Sequence, residues 1–419
     1  MKLGSLIVGV ALAAVVMGVG ALLRAGPLNP PAGPVAPTYK TLSEVEPRIA
    51  IGPTTTPGSA TAIAVISQPG SYYLTGNLQG VVGKNGIEIA ASGVTIDLNG
   101  FEASGNGGLD GIATTVASLT NIAITNGSIR NWSGDGIDLQ TTLAFNSQVT
   151  GIRADFNTGI GIKVGNAYLV ERCGARSNGG GGISCGAQGA IRFCEAVSNT
   201  GTGITVGQGA NVSHCLSGFN LFNPGDALRA GGYCTITDCT FTSSTAHGIN
   251  TGPVSTIARC TVDGAALNGI LAGNGSTVIG CSVNFSQNIN IVVGNGSTVA
   301  DCSVQFGNLG GIECGAQCVI RGNTCASNSN GSPNGFNIHA IGTDNRIEAN
   351  TCTQAGRGID ADSPGNIIIR NTCSGHTNNF DVVAGNVILV VNAATAPAVL
   401  GSSGGTAPGS TDPNANFSY

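Results

Sequence analysis

Two groups of side chains in this sequence have the types and the spacing to do chemistry. The first is Asp226, Arg229 and His247. Positions 226 and 247 are 21 residues apart, one period of the chain's repeat, so they fall on adjacent coils about 4.8 Å apart. An acid, a cation and an imidazole at that distance are the parts of an acid–base site, since a carboxylate raises a neighbouring imidazole towards the range of a general base. Phe222, Asn223 and Pro224 interrupt the regular coil beside them, as a bulged corner where ligand-binding loops arise. These three residues are the expected catalytic group. The second group is Glu88, Asp110, Asp135 and Asp138 with Lys163 beside them. Carboxylates on neighbouring coils bind Ca2+ through oxygen or raise one another's pKa, so this is the expected ligand-binding group, and Ca2+ is the one cofactor it suggests. Both groups are expected to point outward. A third column, His214, Asp238 and Arg259, reads as an ion-pair ladder at a corner. The plain alternative for each is a solvated face, because 22 acids distributed over the coils meet by chance in places.

What positions these residues is the repeat. Cys173, Cys194 and Cys215 are 21 apart, as are Cys239, Cys260, Cys281 and Cys302; Cys325, Cys352 and Cys373 follow at steps of 23, 27 and 21. Ten of the 14 cysteines are thus expected on one column. Eleven residues before seven of them stands an aliphatic: Ile162, Ile183, Ile204, Leu228, Ile249, Ile270 and Ile291. Glycine recurs three residues further on, from Gly165 to Gly294, and Asn157, Asn178, Asn199 and Asn220 keep the same period, with Trp132 in the place of an earlier asparagine. Apolar positions come two apart, which is the period of a strand with one face inward. Gly and Asn fill the gaps, where left-handed turns are expected. Three short strands and three tight corners per unit, stacked, make an all-β parallel β-helix of about 13 coils. Leucine-rich repeats need a Leu framework that is absent, hexapeptide and calcium-binding nonapeptide repeats are shorter, and a propeller blade needs about 40 residues.

Composition agrees. Glycine is 67 of 419 residues, without collagen's three-residue period, and 41% hydrophobic residues demand a core. A formal charge of −5, with no cluster among 17 Lys and Arg, argues against nucleic acid as a partner. Stacked cysteines would have Cβ atoms about 4.8 Å apart, outside the range of about 3.5–4.5 Å that a disulfide uses. A buried thiol ladder is therefore expected, with Cys314 and Cys318 the place for any special role.

The run VTIDLNG at 94–100, the NTC units at 323–325, 350–352 and 371–373, and the stretches Asn345–Asn350 and Asn366–Asn371 resemble right-handed parallel β-helix proteins of the pectin-lyase-like superfamily, of the exported bacterial type. The resemblance implies the fold over roughly 60–395 and leaves function open among lyases, hydrolases, epimerases, adhesins and copper-enzyme maturation factors. Lyases of that kind use clustered acids and a proton-abstracting base, and hydrolases pair aspartates. The chain has no Asp-Asp pair and no Gly-His-Gly, only Ala246-His247-Gly248.

Lys2 and the uncharged residues 3–23, ended by Arg24, read as an export signal or an N-terminal membrane anchor within 1–24. Residues 25–60 form a Pro-rich linker and N-terminal cap, 61–395 the β-helix, and 396–419 a Gly/Ser/Pro-rich tail that closes with Phe417 and Tyr419. The expected protein is exported to the periplasm, cell surface or medium. It is expected to be non-catalytic and to bind polysaccharide or envelope glycan along one face, touching membrane only through an uncleaved N-terminal segment. The alternatives are a polysaccharide lyase or glycoside hydrolase, and a periplasmic metal-enzyme maturation factor.

Overall fold

The computed structural model describes residues 46–140, 146–220, 225–329, 331–392 and 412–419. The chain divides into residues 1–47 and 48–419, and every described strand belongs to the second unit. The expected N-terminal helix and linker, the corner at Phe222–Pro224 and most of the C-terminal tail lie outside the described residues. No helix among the described residues is long and apolar enough to cross a membrane.

All 45 described strands pair in parallel, and they form two sheets of 15 and 30 strands. The 15-stranded sheet takes one strand from each coil. Its register stacks Ile87, Ile112, Ile137, Ile162, Ile183, Ile204, Leu228, Ile249, Ile270 and Ile291 in one inward column, the column the 21-residue period identifies. The sheet has 15 strands against about 13 expected coils, and its first and last, Ala62–Ile66 and Asn378–Val382, both lie within the expected 61–395. The larger sheet takes two strands per coil over most of the stack, such as Ala190–Arg192 and Glu195–Val197. The glycine column lets corners approach: at Gly252 a Cβ would sit 2.6 Å from the Gly232 nitrogen.

Glycine holds some left-handed corner positions, as expected, Gly280 before Cys281 and Gly322 before Asn323 among them, but the ladder Asn do not, and other residue types hold most of the rest. The residue before each ladder side chain adopts positive φ: Phe156, Ser177, Ser198 and Phe219 before the asparagines, and Arg172, Phe193, His214, Asp238 and Arg259 before the cysteines. One left-handed residue bends the chain so that the next side chain turns inward. Each costs about 1 kcal/mol or more, offset by what that side chain then does. In the asparagine ladder, Asn178 Oδ1 accepts both the backbone N–H and the side-chain N–H of Asn157 at 3.0 Å, and Asn199 serves Asn178 in the same way. Trp132 is a packed corner, with its indole N–H donating to the Ala103 carbonyl at 3.1 Å.

All 14 cysteines are buried free thiols, in more than one column. Cys173 to Cys302 hold the expected corner column, and there Asn323, 21 residues on, takes over: its Oδ1 accepts the Cys302 N–H at 3.0 Å. Cys325, Cys352 and Cys373 instead stack beneath Val304 in a strand column. The step of 23 from Cys302 to Cys325 moves the thiol two positions along, from corner to strand. Burial pushes the Cys185 thiol up to about 12, and the preceding thiol in the ladder, with burial, pushes Cys194, Cys215 and Cys239 up to about 12.

A further strand covers part of each end, in the larger sheet. Ile49–Ala50 pairs with Tyr72 and Tyr73. At the other end Asn416–Ser418, expected within the tail, is a strand that pairs with both Thr372–Cys373 and Val390–Asn392.

Candidate functional site

The structure brings Asp226, Arg229 and His247 together, but not as an open site. Asp226 is 0% exposed, contrary to the outward placement expected of it. Its Oδ2 accepts from Arg229 Nε at 2.7 Å and from Asn250 Nδ2 at 3.2 Å, and its Oδ1 accepts the backbone N–H of His247 at 3.0 Å. His247 Nδ1 in turn accepts the backbone N–H of Asn268 at 3.3 Å, and Asn268 Oδ1 accepts that of Ile289 at 3.2 Å. The position two before the strand aliphatic is therefore a ladder in which each side chain receives the N–H of the next coil. Burial lowers the His247 pKa, against the pull of Asp226, where the neighbouring acid was expected to raise it.

Asp110 and Asp135 are earlier rungs of the same column. Asp110 Oδ1 accepts the Asp135 N–H and Asp135 Oδ1 the Ile160 N–H, both at 2.6 Å. Asp138 and Lys163 are register partners in the outward column. The Lys163 ammonium lies 3.1 Å from Asp138 Oδ2 and 3.4 Å from Asp135 Oδ2, where a Ca2+ ion held by these two acids would lie. Glu88 is buried and accepts from Asn85 Nδ2 at 2.9 Å and Thr61 Oγ1 at 3.2 Å. The third column is the ion-pair ladder expected, with Arg259 bound to both Asp238 oxygens at 2.7 and 2.8 Å and Phe193 stacked on His214.

The outward column of the 15-stranded sheet carries a further group that the sequence reading missed. Glu313, His339, Asp360 and Asp381 are register partners on four consecutive strands. His339 Nδ1 lies 3.2 Å from Glu313 Oε2, and its Nε2 lies 2.9 Å from Asp362 Oδ2 and 4.0 Å from Asp360 Oδ2. Arg357 pairs with Asp360 and reaches Asp381 Oδ2 at 3.2 Å. The Phe336 ring packs 4.8 Å from the imidazole. Burial opposes charge on His339, but Glu313 and Asp362 outweigh it and hold the imidazole above its ordinary value. Burial raises Asp360, with Arg357 and His339 pulling the other way. The signal was in the sequence: each of Glu313, His339 and Asp360 follows its strand isoleucine, as Asp138 and Lys163 do, and the column needed only to be followed past Asn250.

In the same coils, a groove of about 510 Å³ is lined by Phe306, Ser327, Ser332, Gln354, Gly356 and Thr377, among others. Phe285 and Phe306 stack at 4.8 Å with planes 10° apart. The next coil places Ser327 in that column, then Gln354, and Ser327 Oγ donates to Gln354 Oε1 at 3.2 Å. Phe306 is 42% exposed and lines the groove beside hydroxyls and an amide. Asn334, which follows Pro333 of the groove wall, contacts Arg357 at 3.4 Å, so groove and charged column adjoin.

No protein-family model and no characterised relative matches the chain in sequence. Among solved structures, it is similar to the A-module of the Azotobacter vinelandii mannuronan C-5 epimerase AlgE4, at 15% identity over 76% of this chain and 90% of that one, with TM-score 0.40. It is similar to a mutant of the periplasmic alginate epimerase AlgG at 9% identity, over 79% and 82% of the two chains, with TM-score 0.39. The Agl-KA catalytic domain matches at 14% identity, over 81% and 62%, with TM-score 0.42. The parallel β-helix itself is read from this chain's own strand pairing.

Proposed function

We propose that the protein is an exported, non-catalytic β-helix that binds polysaccharide on its C-terminal coils, at the groove beside Phe306. The groove that Phe306 shares with serine and amide side chains carries this reading. Small-ligand sites combine apolar or aromatic walls with a few placed polar groups, and here a phenyl face lies one coil from a notch walled by Ser327, Ser332 and Gln354. The pyranose face of a sugar fits where a third phenyl would stack, and its hydroxyls meet the serine and amide groups. The adjoining acids, Glu313, Asp360, Asp362 and Asp381, outnumber Arg357, which favours a neutral glycan over a uronate polymer. The apolar N-terminal run is the support for export.

The test is a glycan array followed by titration of the best binder. Phe306→Ala should weaken binding about tenfold or more. Ser327→Phe, which fills the notch, should abolish it without unfolding the chain. Binding unchanged in both variants would place the site elsewhere. Turnover of any glycan, read as new reducing ends or unsaturated product, would overturn the non-catalytic reading in favour of a lyase or hydrolase and point to His339 and Asp362, 2.9 Å apart, as the reacting pair.

A further inference from the structure

We propose that His339, Asp360 and Asp362 bind a divalent transition-metal ion of the zinc class. This inference is independent of the glycan reading. Nε2 of His339 and one oxygen from each aspartate lie within 4.8 Å of one another. Zinc held by imidazole and carboxylate at about 2.0–2.2 Å needs ligand atoms about 3.3–3.5 Å apart. The observed separations of 2.9 Å to Asp362 and 4.0 Å to Asp360 bracket that value. Asp362, whose side chain is 57% exposed, has room to adjust, and the remaining coordination positions open to solvent. Such a site has three protein ligands and an open position.

Two features outside the ligand set support it. Metal-binding histidines almost always give their other ring nitrogen to a carboxylate, which fixes the tautomer and orients the ring. Glu313 occupies that place on Nδ1 at 3.2 Å, leaving the Nε2 lone pair facing two acids. Ligating carboxylates are in turn held by outer groups, and Arg357 orients Asp360 through Oδ2, the oxygen nearest His339, which it would share with the ion. Register fixes the parts: Glu313, His339 and Asp360 stand on three adjacent strands, the rigid support such a site needs. The charge also fits, since Glu313, Asp360, Asp362 and Asp381 face His339 and Arg357, and a dication relieves the excess of acid. Imidazole in the ligand set selects zinc, cobalt or nickel over calcium or magnesium. The cysteines do not compete, because all 14 are buried.

The experiment is titration of the metal-stripped full chain with Zn2+, Co2+ and Ca2+, by calorimetry and by visible absorption for Co2+, with no glycan present. One Zn2+ or Co2+ per chain is expected, with Ca2+ binding at least a hundredfold weaker. His339→Ala should abolish binding and Asp362→Asn weaken it tenfold or more. Glu313→Gln, which touches no ion, should weaken it about 10–100-fold. His214→Ala, on the outer corner, should change nothing. Circular dichroism checks that each variant folds, and Asp362→Asn, on an exposed side chain, decides the matter if His339→Ala does not. No binding by the native chain, equal binding of Ca2+, unchanged affinity in Asp362→Asn, or a Co2+ spectrum with thiolate charge transfer would each overturn the proposal.

Discussion

Asp226 and Asp360 are both buried acids paired with an arginine three positions away, and they differ in what else they face. Asp226 receives the backbone N–H of His247, so its carboxylate is a rung. Asp360 faces the imidazole of His339 and the exposed Asp362, so it adjoins an open site. Spacing alone found the first trio, because 226 and 247 are one period apart. It did not find its burial, because burial there follows from a side chain accepting the next coil's N–H, which column arithmetic does not register. The ladder also gives a pH dependence. His247 accepts through Nδ1, and a protonated imidazole has no acceptor to offer. Burial lowers its pKa in the folded chain, so the unfolded chain takes up the proton first as pH falls through about 6.5. This group's stabilisation is therefore complete above that pH and lost below it. His247→Asn, which keeps an acceptor as Asn268 does one rung on, should match the native chain at pH 7. It should lose less melting temperature between pH 7 and pH 5. His339 and His376 are common to both proteins and cancel in the difference. Parallel loss in the two proteins would show that His247 does not titrate as described.

At the scale of the element, the unit of stability is the ladder rung, and register decides which residue type a rung accepts. The sequence made strands, corners and the inward isoleucine column legible, because each repeats at 21 residues with little interruption. It misplaced Cys325, Cys352 and Cys373, because the coil after Cys302 keeps its 21 residues, which gives the corner to Asn323, and the cysteine 23 residues on lies two positions past it in the strand. That asparagine continues the cysteine ladder by the same contact: Cys302 Sγ donates to the Val278 carbonyl at 3.9 Å, and Asn323 Nδ2 to that of Val299 at 3.0 Å. Cys302→Asn should therefore cost under about 1 kcal/mol, since the amide finds the acceptor its neighbour uses. Cys352→Asn puts an amide in an apolar strand column, between Cys325 and Cys373, and should cost about 2–4 kcal/mol more. Denaturant unfolding of the two variants measures the difference. Equal costs would mean that the two cysteine columns are equivalent after all.

For the whole molecule, a stack in which each coil meets only its neighbours makes stability a sum of local terms, and the ends become the weak points, because an uncovered coil presents an unpaired strand edge. The fold class was legible because a repeat states itself many times; the C-terminal strand Asn416–Ser418 was not, because it occurs once. The last rung is supplied from beyond residues 393–411 by Asn416–Ser418. Asn416 Oδ1 accepts both the N–H and the side-chain amide of Asn371 at 2.9 Å, and its Nδ2 donates to the Ile368 carbonyl at 2.8 Å. Removing residues 412–419 takes away the acceptor of a buried amide and the neighbour of Thr372–Ser374. Two unsatisfied buried donors cost about 1–3 kcal/mol each, enough to unfold a terminal coil but, with neighbour-only coupling, not the stack. Hydrogen exchange should then lose protection across residues 346–374, while Ile249–Thr251 and Ile270–Ala272, several coils away, keep theirs. The freed edge should also drive concentration-dependent association on size-exclusion chromatography, and Lys substituted for Thr372 in the truncated chain should suppress it, as charges do on natural edges. Unchanged protection at 346–374 would mean that the C-terminal strand is not the cap. Loss of protection throughout would mean that the coils fold as one cooperative block rather than as a stack.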